Sequence, residues 1–411
     1  MDDKVKRVIV IGGGPSGMMA AATAGSRGLK VTLLEKNEKL GRKLYLTGKG
    51  RCNITNNADV EELIANVPVN GKFLYSAFYT FTNQDLIALL NGLGLKTKVE
   101  RGNRVFPESD KSSDVIKTLE KHVRSNNVLI MNEEAAGIIT RDKSVCGVKL
   151  KNGKTLECSS VIVATGGVSY PQTGSTGDGY RFAREAGHTV VPPKPSLIPL
   201  ETEESWPKKA QGLSLKNISL YVLDRSDKRI YQDFGEMVFT HYGVSGPVIL
   251  SASSYMGDIV PGKYRLSIDL KPALKHEELD LRVQRDFAKF ARKHFSNSLD
   301  ELLPQKLIPV IIELSEIPPD KPVHQISRQE RLALAGLLKD LRLSVKGCRP
   351  IEEAIITSGG VSVDGIDPGT MESKLVKGLF FAGEVIDVNA YTGGFNLQIA
   401  FSTGYLAGYN C

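Results

Sequence analysis

The amino-acid sequence predicts an α/β fold whose sheet is assembled from two segments of the chain, with an insertion between them. Near residue 10, a short apolar run leads into a glycine-rich turn and then into an alanine-rich segment of helical composition. After about residue 347, short apolar runs that end in glycine turns return. The 411 residues suffice for two or three domains of about 150 residues each.

The first βαβ unit is predicted from its local composition. Val8–Ile11 consists of four β-branched residues and is predicted as a buried parallel strand. Met18–Arg27 is predicted as a helix that Gly28 caps, and Val31–Leu34 as the next strand. Similar apolar runs predict further strands at Leu129–Asn132, Gly147–Leu150 and Ser160–Ala164.

The turn inside this unit carries a dinucleotide-binding fingerprint. Gly12, Gly14 and Gly17 have the spacing G-x-G-x-x-G, and Glu35 follows roughly 20 residues later. Gly14 would let the backbone approach a pyrophosphate, and the helix N-terminus would present free N–H groups to that anion. Glu35 is expected to accept hydrogen bonds from ribose hydroxyls, which argues against a 2′-phosphate there.

Two further segments extend the predicted site. Residues 41–53 form a glycine-rich loop in which Arg42, Lys43 and Arg51 are candidates to neutralise phosphates or a substrate anion. Residues 161–167 have the sequence Val-Ile-Val-Ala-Thr-Gly-Gly, which predicts a strand whose end passes beside the dinucleotide. Both segments are therefore assigned to the nucleotide-binding domain.

The C-terminal segment indicates which dinucleotide is bound. Residues 378–384 predict a strand that runs into Gly383 and Glu384, and Asp387 follows. Glu384 or Asp387 is expected to bond ribitol hydroxyls. The last helix is predicted over Phe401–Gly408, and the N–H groups at the start of that helical segment are expected to face the pyrimidine edge of an isoalloxazine. A nicotinamide enzyme needs no such second half-site, so the sequence predicts FAD.

In the middle of the chain the spacing of apolar residues changes from a strand pattern to a helical pattern. An alternating strand pattern of the half-buried type is formed by Tyr264, Leu266, Ile268 and Leu270. From His276 onward the apolar period is helical, with one face formed by Leu279, Val283, Phe287, Phe290 and Ala291. A second amphipathic helix is predicted over Arg328–Leu341.

These changes predict three domains. Residues 1–195 and 347–411 are assigned to the FAD-binding domain. Residues 196–275 and about 325–346 are assigned to an inserted β-rich domain, and residues 276–324 to a helical subdomain. Prolines at 192, 193 and 195 mark the first boundary.

Motifs along nearly the whole chain resemble those of the BaiN/YhiN-like group of FAD-dependent oxidoreductases. They are G-G-G-P-S-G (Gly12–Gly17), G-R-K (Gly41–Lys43), G-R-C-N-I-T-N (Gly50–Asn56), F-T-H-Y-G-V-S-G-P (Phe239–Pro247), T-S-G-G-V (Thr357–Val361), T-M-E-S-K (Thr370–Lys374), A-G-E-V-I-D-V (Ala382–Val388) and T-G-G-F-N-L-Q (Thr392–Gln398). The resemblance implies a Rossmann-like FAD-binding domain in two chain segments, interrupted by a β-barrel-like domain and a small helical subdomain. One departure is Lys49, which stands where the family usually has a run of glycines.

The motifs and the resemblance together give the candidate site residues, of which Lys36 is implied by the resemblance alone. The candidate cofactor-binding residues are Gly12, Gly14, Pro15, Ser16, Gly17, Glu35, Lys36, Gly41, Arg42, Lys43, Arg51, Cys52, Asn53, Ala164, Thr165, Gly166, Gly383, Glu384, Asp387, Gly393, Gly394, Asn396, Leu397, Gln398 and Ile399. No catalytic residue is identified. His241 as a general acid, Cys52 as a redox or covalent partner, and Tyr391 are candidates, although a structural role explains the histidine and the cysteine more simply.

The predicted activity is hydride transfer through flavin N5 between NAD(P)H and a small organic acceptor. The resemblance implies a conjugated C=C bond as the acceptor in one branch of the family. No second nucleotide fingerprint follows the first, so NAD(P)H is expected to visit the flavin transiently. The alternatives are an amine-type oxidase, an RNA-modifying flavoprotein and a non-catalytic flavin sensor.

Composition limits the partners. The formal net charge is +7, but basic and acidic residues alternate and no dense Lys/Arg block occurs, so nucleic-acid binding is not expected. Five widely spaced cysteines without a C-x-x-C pair make a disulfide framework or a metal site unexpected. The sequence contains no apolar run long enough to predict a membrane span, and the cytoplasm is the expected compartment. The oligomeric state is left open.

Overall fold

The computed structural model describes residues 6–411, and within them no helix is both long and apolar enough to cross a lipid bilayer. The strands are β1 (Arg7–Ile11), β2 (Lys30–Leu34), β3 (Thr55–Asn56), β4 (Thr97–Glu100), β5 (Arg104–Pro107), β6 (Leu129–Met131), β7 (Ala135–Arg141), β8 (Ser144–Leu150), β9 (Thr155–Glu157), β10 (Ser160–Val163), β11 (Val190–Ser196), β12 (Leu200–Thr202), β13 (Ser214–Leu223), β14 (Arg229–Phe239), β15 (Gly243–Ser245), β16 (Arg265–Asp269), β17 (Leu341–Cys348), β18 (Ile356–Val361) and β19 (Leu379–Phe381). The α-helices are α1 (Pro15–Ser26), α2 (Arg42–Leu46), α3 (Val60–Ala65), α4 (Tyr75–Thr80), α5 (Asn83–Gly92), α6 (Ser112–Ser125), α7 (Asp178–Glu185), α8 (Pro247–Tyr255), α9 (His276–Lys289), α10 (Ile308–Ser315), α11 (Arg328–Lys339) and α12 (Phe395–Asn410).

A parallel sheet forms the centre of the nucleotide-binding unit. Its strand order is β19-β10-β1-β2-β6, and each neighbouring pair is parallel. The central strands β1 and β10 are almost entirely buried, as continuous apolar runs in a parallel sheet require. This sheet confirms the Rossmann-like fold class and contains the strands predicted for the FAD-binding domain except Gly147–Leu150. That segment is a strand, within β8, but it belongs to the separate antiparallel sheet β7-β8-β9.

The two helices that flank the dinucleotide segments begin earlier than predicted. Helix α1 begins at Pro15 rather than Met18, because proline is pre-organised for the first helical position. Helix α12 begins at Phe395 rather than Phe401, directly after Gly394, whose φ is +99°. The second difference places the T-G-G-F-N-L-Q motif across the start of the helix.

Helix α12 packs against α1 with direct backbone contact. A Cβ on Gly404 or on Gly408 would lie 2.4 Å from a backbone oxygen of α1. A Cβ on Gly17 of α1 would lie 1.8 Å from the Gly12 carbonyl oxygen. Only residues without a side chain allow approaches this close. Glycines therefore join the C-terminal helix, the first helix and the first strand.

Residues 196–353 form a second compact unit, whereas residues 6–195 and 354–411 form the first. In the second unit a closed barrel has the strand order β12-β15-β14-β13-β16-β17, and β17 pairs back onto β12. Helices α9, α10 and α11 share the apolar core of this unit. The barrel confirms the β-barrel-like insertion, and the exact three-domain boundaries stay a prediction.

The predicted helical face of α9 is confirmed for its first three members. Leu279, Val283 and Phe287 are buried in the core of the second unit. Phe290 and Ala291 are only partly buried, because α9 ends at Lys289 and the chain turns before these residues complete the face.

The prediction of a half-buried strand at residues 264–270 is wrong in one respect. The alternating apolar residues are buried, but Ser267 and Asp269 between them are buried as well. Ser267 donates a hydrogen bond to Asp340 at 2.6 Å, and Lys339 lies 2.5 Å from the Asp269 carboxylate. The partners come from the end of α11, about 70 residues later in the chain, so the strand pattern alone does not reveal them.

The ion pair between Lys339 and Asp269 gives a stability prediction. Replacing Lys339 by methionine is expected to lower the free energy of unfolding by about 3 kcal/mol, because the buried Asp269 carboxylate would lose its cation. Chemical denaturation followed by circular dichroism measures the loss. Arg124→Met is the matched control, since the Arg124–Glu120 pair is exposed and is expected to contribute less than about 0.5 kcal/mol. Equal losses in the two variants would contradict this prediction.

Candidate functional site

The glycine turn between β1 and α1 is shaped by close backbone packing on one side and open space on the other. Gly12 has φ of +108°, and a Cβ there would lie 2.4 Å from the Ala164 carbonyl oxygen at the end of β10. Ala164 N in turn donates to Ile11 O at 2.9 Å. A Cβ on Gly14, by contrast, would meet no atom within 4 Å. The turn therefore leaves room beside Gly14, where the fingerprint expects a pyrophosphate.

Glu35 is tied to this turn. Its Oε2 accepts a hydrogen bond from Gly13 N at 2.8 Å. Its Oε1 accepts from the backbone N and the side-chain Nδ2 of Asn37, at 2.8 and 2.6 Å. Asn37 also accepts from Arg42 at 2.7 Å. Sequence reasoning missed Asn37, because no motif in the sequence marks this residue.

Lys43 joins the N-terminal loop to the C-terminal segment. Its ammonium lies 2.7 Å from Glu384 and donates to Ser169 Oγ at 2.6 Å. Glu384 also accepts from Thr357 N at 2.8 Å. Gly41, at the start of the same loop, donates from its backbone N to Gly13 O at 2.9 Å. The loop is thus fixed to both halves of the first unit.

Ser169 and Thr357 were not among the predicted site residues. Thr357 Oγ1 accepts from Val168 N at 2.9 Å and so connects β18 to the segment after β10. Its T-S-G-G-V motif was noted in the sequence without a role. A motif that recurs with the flavin motifs is the signal that points to Thr357, whereas nothing in the sequence singles out Ser169.

Two other predicted cations, Lys36 and Arg51, are engaged by carboxylates. Lys36 lies 2.8 Å from Asp178 at the start of α7. Arg51 lies 2.5 Å from Asp110 and also pairs with Glu100 of β4. The positive charge of Arg51 is therefore compensated within the protein, which weighs against the phosphate role expected from the sequence.

Several buried polar atoms have no hydrogen-bond partner among the described residues. Members of the candidate set account for four of them: Ser16 Oγ, Asn53 Oδ1, Thr165 Oγ1 and Asp387 Oδ1. A buried polar atom without a partner is costly. Ser16 follows Pro15 in the first turn of α1, and Thr165 precedes Gly166 at the end of β10. The unpaired atoms thus concentrate in the motif segments.

Asp387 differs from Glu384 because one of its carboxylate oxygens still has room to accept hydrogen bonds. Asn70 donates to the Asp387 carbonyl oxygen at 2.7 Å and to Oδ2 at 3.2 Å, while Oδ1 has no partner among residues 6–411. Burial raises the pKa of the Asp387 carboxyl above its usual value. Gly383, which precedes Glu384, donates from its N to Thr403 Oγ1 at 2.9 Å and has φ of +77°.

The start of α12 is built by backbone geometry. Gly393 and Gly394 have φ of +133° and +99°, and a Cβ on Gly394 would lie 2.3 Å from Thr55 O. No side chain caps this helix start. Asn396 bonds the N and O of Ala390 at 2.9 and 2.7 Å. Within the candidate set, the first-turn N–H groups are therefore the groups of α12 available to a ligand.

The remaining side chains of this motif make their contacts inside the first unit. Gln398 is fully buried, accepts from Thr55 Oγ1 at 2.6 Å and donates to Ser402 Oγ at 2.8 Å. Ile399 is buried and Leu397 packs against the core of the first unit.

The three candidate catalytic residues lie in different settings. Cys52 is fully buried, and burial raises the pKa of its thiol to about 12. Tyr391 is partly exposed just before α12, and its N donates to Asn66 O at 3.1 Å. His241 is exposed in the second unit, where its ring meets that of Tyr242 edge to face. The thiol of Cys52 is thus poorly suited to act as a thiolate.

The chain matches a known protein family over almost its whole length. The family described as HI0933-like protein Rossmann domain matches residues 6–410. The chain belongs to the HI0933-like family. This confirms the resemblance to the BaiN/YhiN-like group, and the protein is therefore a member of a family of FAD-dependent oxidoreductases with a Rossmann-like nucleotide-binding domain.

Named relatives cover almost the whole chain. A 3-dehydro-bile acid delta(4,6)-reductase from Clostridium scindens is 32% identical over 410 residues, which is 98% of each chain. A ribosomal RNA dihydrouridine synthase from Escherichia coli is also 32% identical and covers 97% of this chain and 96% of its own.

Solved structures share the fold at low identity. A 3-ketosteroid delta1-dehydrogenase from Sterolibacterium denitrificans has a TM-score of 0.53 at 15% identity and covers 98% of this chain and 99% of its own. A 3-ketosteroid-delta4-(5alpha)-dehydrogenase from Rhodococcus jostii has a TM-score of 0.54 at 14% identity and covers 99% of this chain and 97% of its own.

The open space at Gly14 gives a prediction about cofactor binding. Gly14→Val is expected to fold normally but to retain less than about a tenth of the flavin, because the new side chain would occupy the space expected for the pyrophosphate. Flavin absorbance per mole of purified protein measures retention. Gly17→Ala is the contrasting variant, since its Cβ would collide with the Gly12 carbonyl and is expected to impair folding itself. A Gly14→Val protein with full flavin content would contradict the expectation.

The buried thiol gives a pH prediction. With its pKa raised to about 12 by burial, Cys52 stays protonated from neutral pH to well above pH 9, so iodoacetamide is expected to leave it unmodified in the native protein. The partly exposed Cys146 serves as the internal control and is expected to react first. Mass spectrometry of peptides gives the order of labelling. Rapid labelling of Cys52 near pH 7 would restore it as a redox candidate.

Proposed function

We propose that the protein is an FAD-dependent reductase of C=C bonds conjugated to a carbonyl group. The observation that carries the proposal is the open, glycine-lined turn at Gly14 facing away from the packed side of the β1–α1 unit, within a family of FAD-dependent oxidoreductases. The names of the full-length relatives supply the bond type. A 3-dehydro-bile acid with delta(4,6) unsaturation and the uridine ring both contain a C=C bond conjugated to a carbonyl.

The residues of the first unit fit FAD. Gly14 offers the close backbone approach that a pyrophosphate needs, and the buried Ser16 hydroxyl is a donor without a partner in the part of the chain that the structure describes. Glu35 is held by Gly13 and Asn37 in the position that the fingerprint assigns to the ribose. We assign these groups to the adenosine diphosphate part of the cofactor.

Hydrogen-bond capacity distinguishes the two C-terminal carboxylates. Glu384 already accepts from Lys43, Thr357 and Ser169. Asp387 retains one oxygen without a partner among the described residues. We therefore assign the ribitol hydroxyls to Asp387 and a positioning role to Glu384, which holds the N-terminal loop through Lys43.

The start of α12 is assigned to the flavin ring. When bound, FAD supplies hydride chemistry through its isoalloxazine. The uncapped first-turn N–H groups of α12 carry the positive end of the helix dipole and would stabilise negative charge on the ring. Gly393 and Gly394 place no side chain of their own at this helix end.

The electron donor is proposed to be NAD(P)H. One dinucleotide fingerprint occurs in the chain, and its glycine turn is assigned to FAD. NAD(P)H would therefore bind transiently and leave before the acceptor enters, which gives ping-pong kinetics. In the net reaction, a hydride and a proton add across the C=C bond while NAD(P)H is oxidised to NAD(P)⁺.

The acceptor is either a steroid-like enone or a uridine in RNA. The two relatives named above have the same identity to this chain, so identity does not separate them. A second ribosomal RNA dihydrouridine synthase, from Haemophilus influenzae, is 31% identical over 97% of this chain. These names favour uridine reduction as a second candidate that uses the same bond chemistry.

Anaerobic reduction followed by mixing with acceptors tests the proposal. NADH or NADPH is expected to bleach the flavin, and 4-androstene-3,17-dione or a uridine-containing RNA is expected to restore its absorbance. Mass spectrometry should show that the product has gained two hydrogens. An isolated alkene and a saturated ketone are the controls and are expected to leave the flavin reduced. Reoxidation by oxygen alone, with every conjugated acceptor inert, would overturn the proposal.

A further inference from the structure

Helix α2 exposes a cationic, an aromatic and an aliphatic side chain on one face. Arg42, Tyr45 and Leu46 stand at positions i, i+3 and i+4 and share that face, whereas Leu44 on the opposite side is buried. Tyr45 is 56% exposed and Leu46 is 44% exposed. Lys49, just beyond the helix, is exposed as well. These four residues, Arg42, Tyr45, Leu46 and Lys49, are called the α2 face below.

The charges of the α2 face are not compensated. The neighbouring cations Lys36, Lys43 and Arg51 all pair with carboxylates. Within residues 6–411, Arg42 hydrogen-bonds the Asn37 amide and Lys49 makes no ion pair, so neither cation meets a carboxylate. The α2 face therefore combines two available positive charges with an exposed aromatic ring.

The backbone at Lys49 is one that glycine can adopt equally well. Lys49 has φ of +58°, a left-handed conformation that is costly for an L-residue other than glycine. Gly48 and Gly50 on either side also have positive φ. Glycine would adopt the same backbone at Lys49 without that cost, so Lys49→Gly removes the charged side chain without straining the backbone.

We propose that the α2 face binds a single strand of the RNA that carries the uridine to be reduced. Arg42 and Lys49 suit two backbone phosphates, and the Tyr45 ring with Leu46 suits an unstacked base. The inference rests on the proposed function, specifically on its uridine branch, because a steroid-like acceptor presents no phosphates. It departs from the expectation, based on the alternation of charges in the sequence, that nucleic acid is not a partner.

Binding to a short fluorescein-labelled single-stranded RNA tests the proposal, with fluorescence anisotropy as the readout. The oxidised protein is used without an electron donor, so binding is measured apart from turnover. Tyr45→Ala and Lys49→Gly are each expected to weaken binding about tenfold. Lys49→Gly is also expected to lower the slope of log affinity against log salt by about one. Lys49→Arg keeps the charge and is expected to bind as the wild type does.

A matched control separates the α2 face from general surface charge. Lys72→Gly removes another exposed lysine that has no ion pair among the described residues and is expected to leave RNA affinity unchanged. Flavin content and the rate at which NADPH bleaches the flavin are expected to stay unchanged in the Tyr45→Ala and Lys49→Gly variants. Weakened RNA binding with these readouts intact supports the proposal, even if no acceptor is found to reoxidise the flavin.

Three results would overturn it. The first is a wild-type protein that does not bind the RNA. The second is wild-type RNA affinity in both Tyr45→Ala and Lys49→Gly. The third is a loss of NADPH affinity in these variants without a loss of RNA affinity, which would assign the α2 face to the nicotinamide dinucleotide instead.

Discussion

The first unit depends on backbone-to-backbone contact between helices α1 and α12. Gly404 and Gly408 bring α12 onto the backbone of α1, and Gly17 brings α1 onto the β1 turn. Each approach is closer than any side chain permits. Both glycine-rich turns of the candidate site extend from this contact, since one precedes α1 and the other precedes α12. The geometry of the site is therefore set by how closely these helices pack.

Charge pairing then determines which groups remain available to ligands. Lys43 and Glu384 satisfy each other across 341 residues of sequence, which fixes a loop but occupies both groups. Asp387 and the first turn of α12 keep unused hydrogen-bonding capacity. Most charged residues of the candidate site are thus paired with one another, and few charges remain available to a ligand. The free ones lie where a long dinucleotide and an anionic strand are proposed to bind.

The sequence predicted the parts of the structure that local patterns specify. The strand Val8–Ile11, the glycine turn and the helical face of α9 follow from composition and period over a few residues. Motif resemblance added the barrel, which the period alone indicated only as a β-rich stretch. The partners of Arg51, Asn37 and Asp269 were not predicted, because each pairing depends on folding rather than on a local pattern. The burial of Cys52 was not predicted for the same reason, since the sequence of a loop does not show which of its residues lie below the protein surface.

The pairing of β12 with β17 has a consequence for the order in which the protein folds during synthesis. These strands begin and end the second unit and lie side by side, with Leu200 opposite Cys348. A nascent chain can therefore complete the barrel unit as soon as residues 196–353 have left the ribosome. The first unit emerges earlier but lacks β19 and α12 until the final segment is translated. The unit that is begun first is thus finished last, and the surface of α1 that α12 covers stays exposed until then.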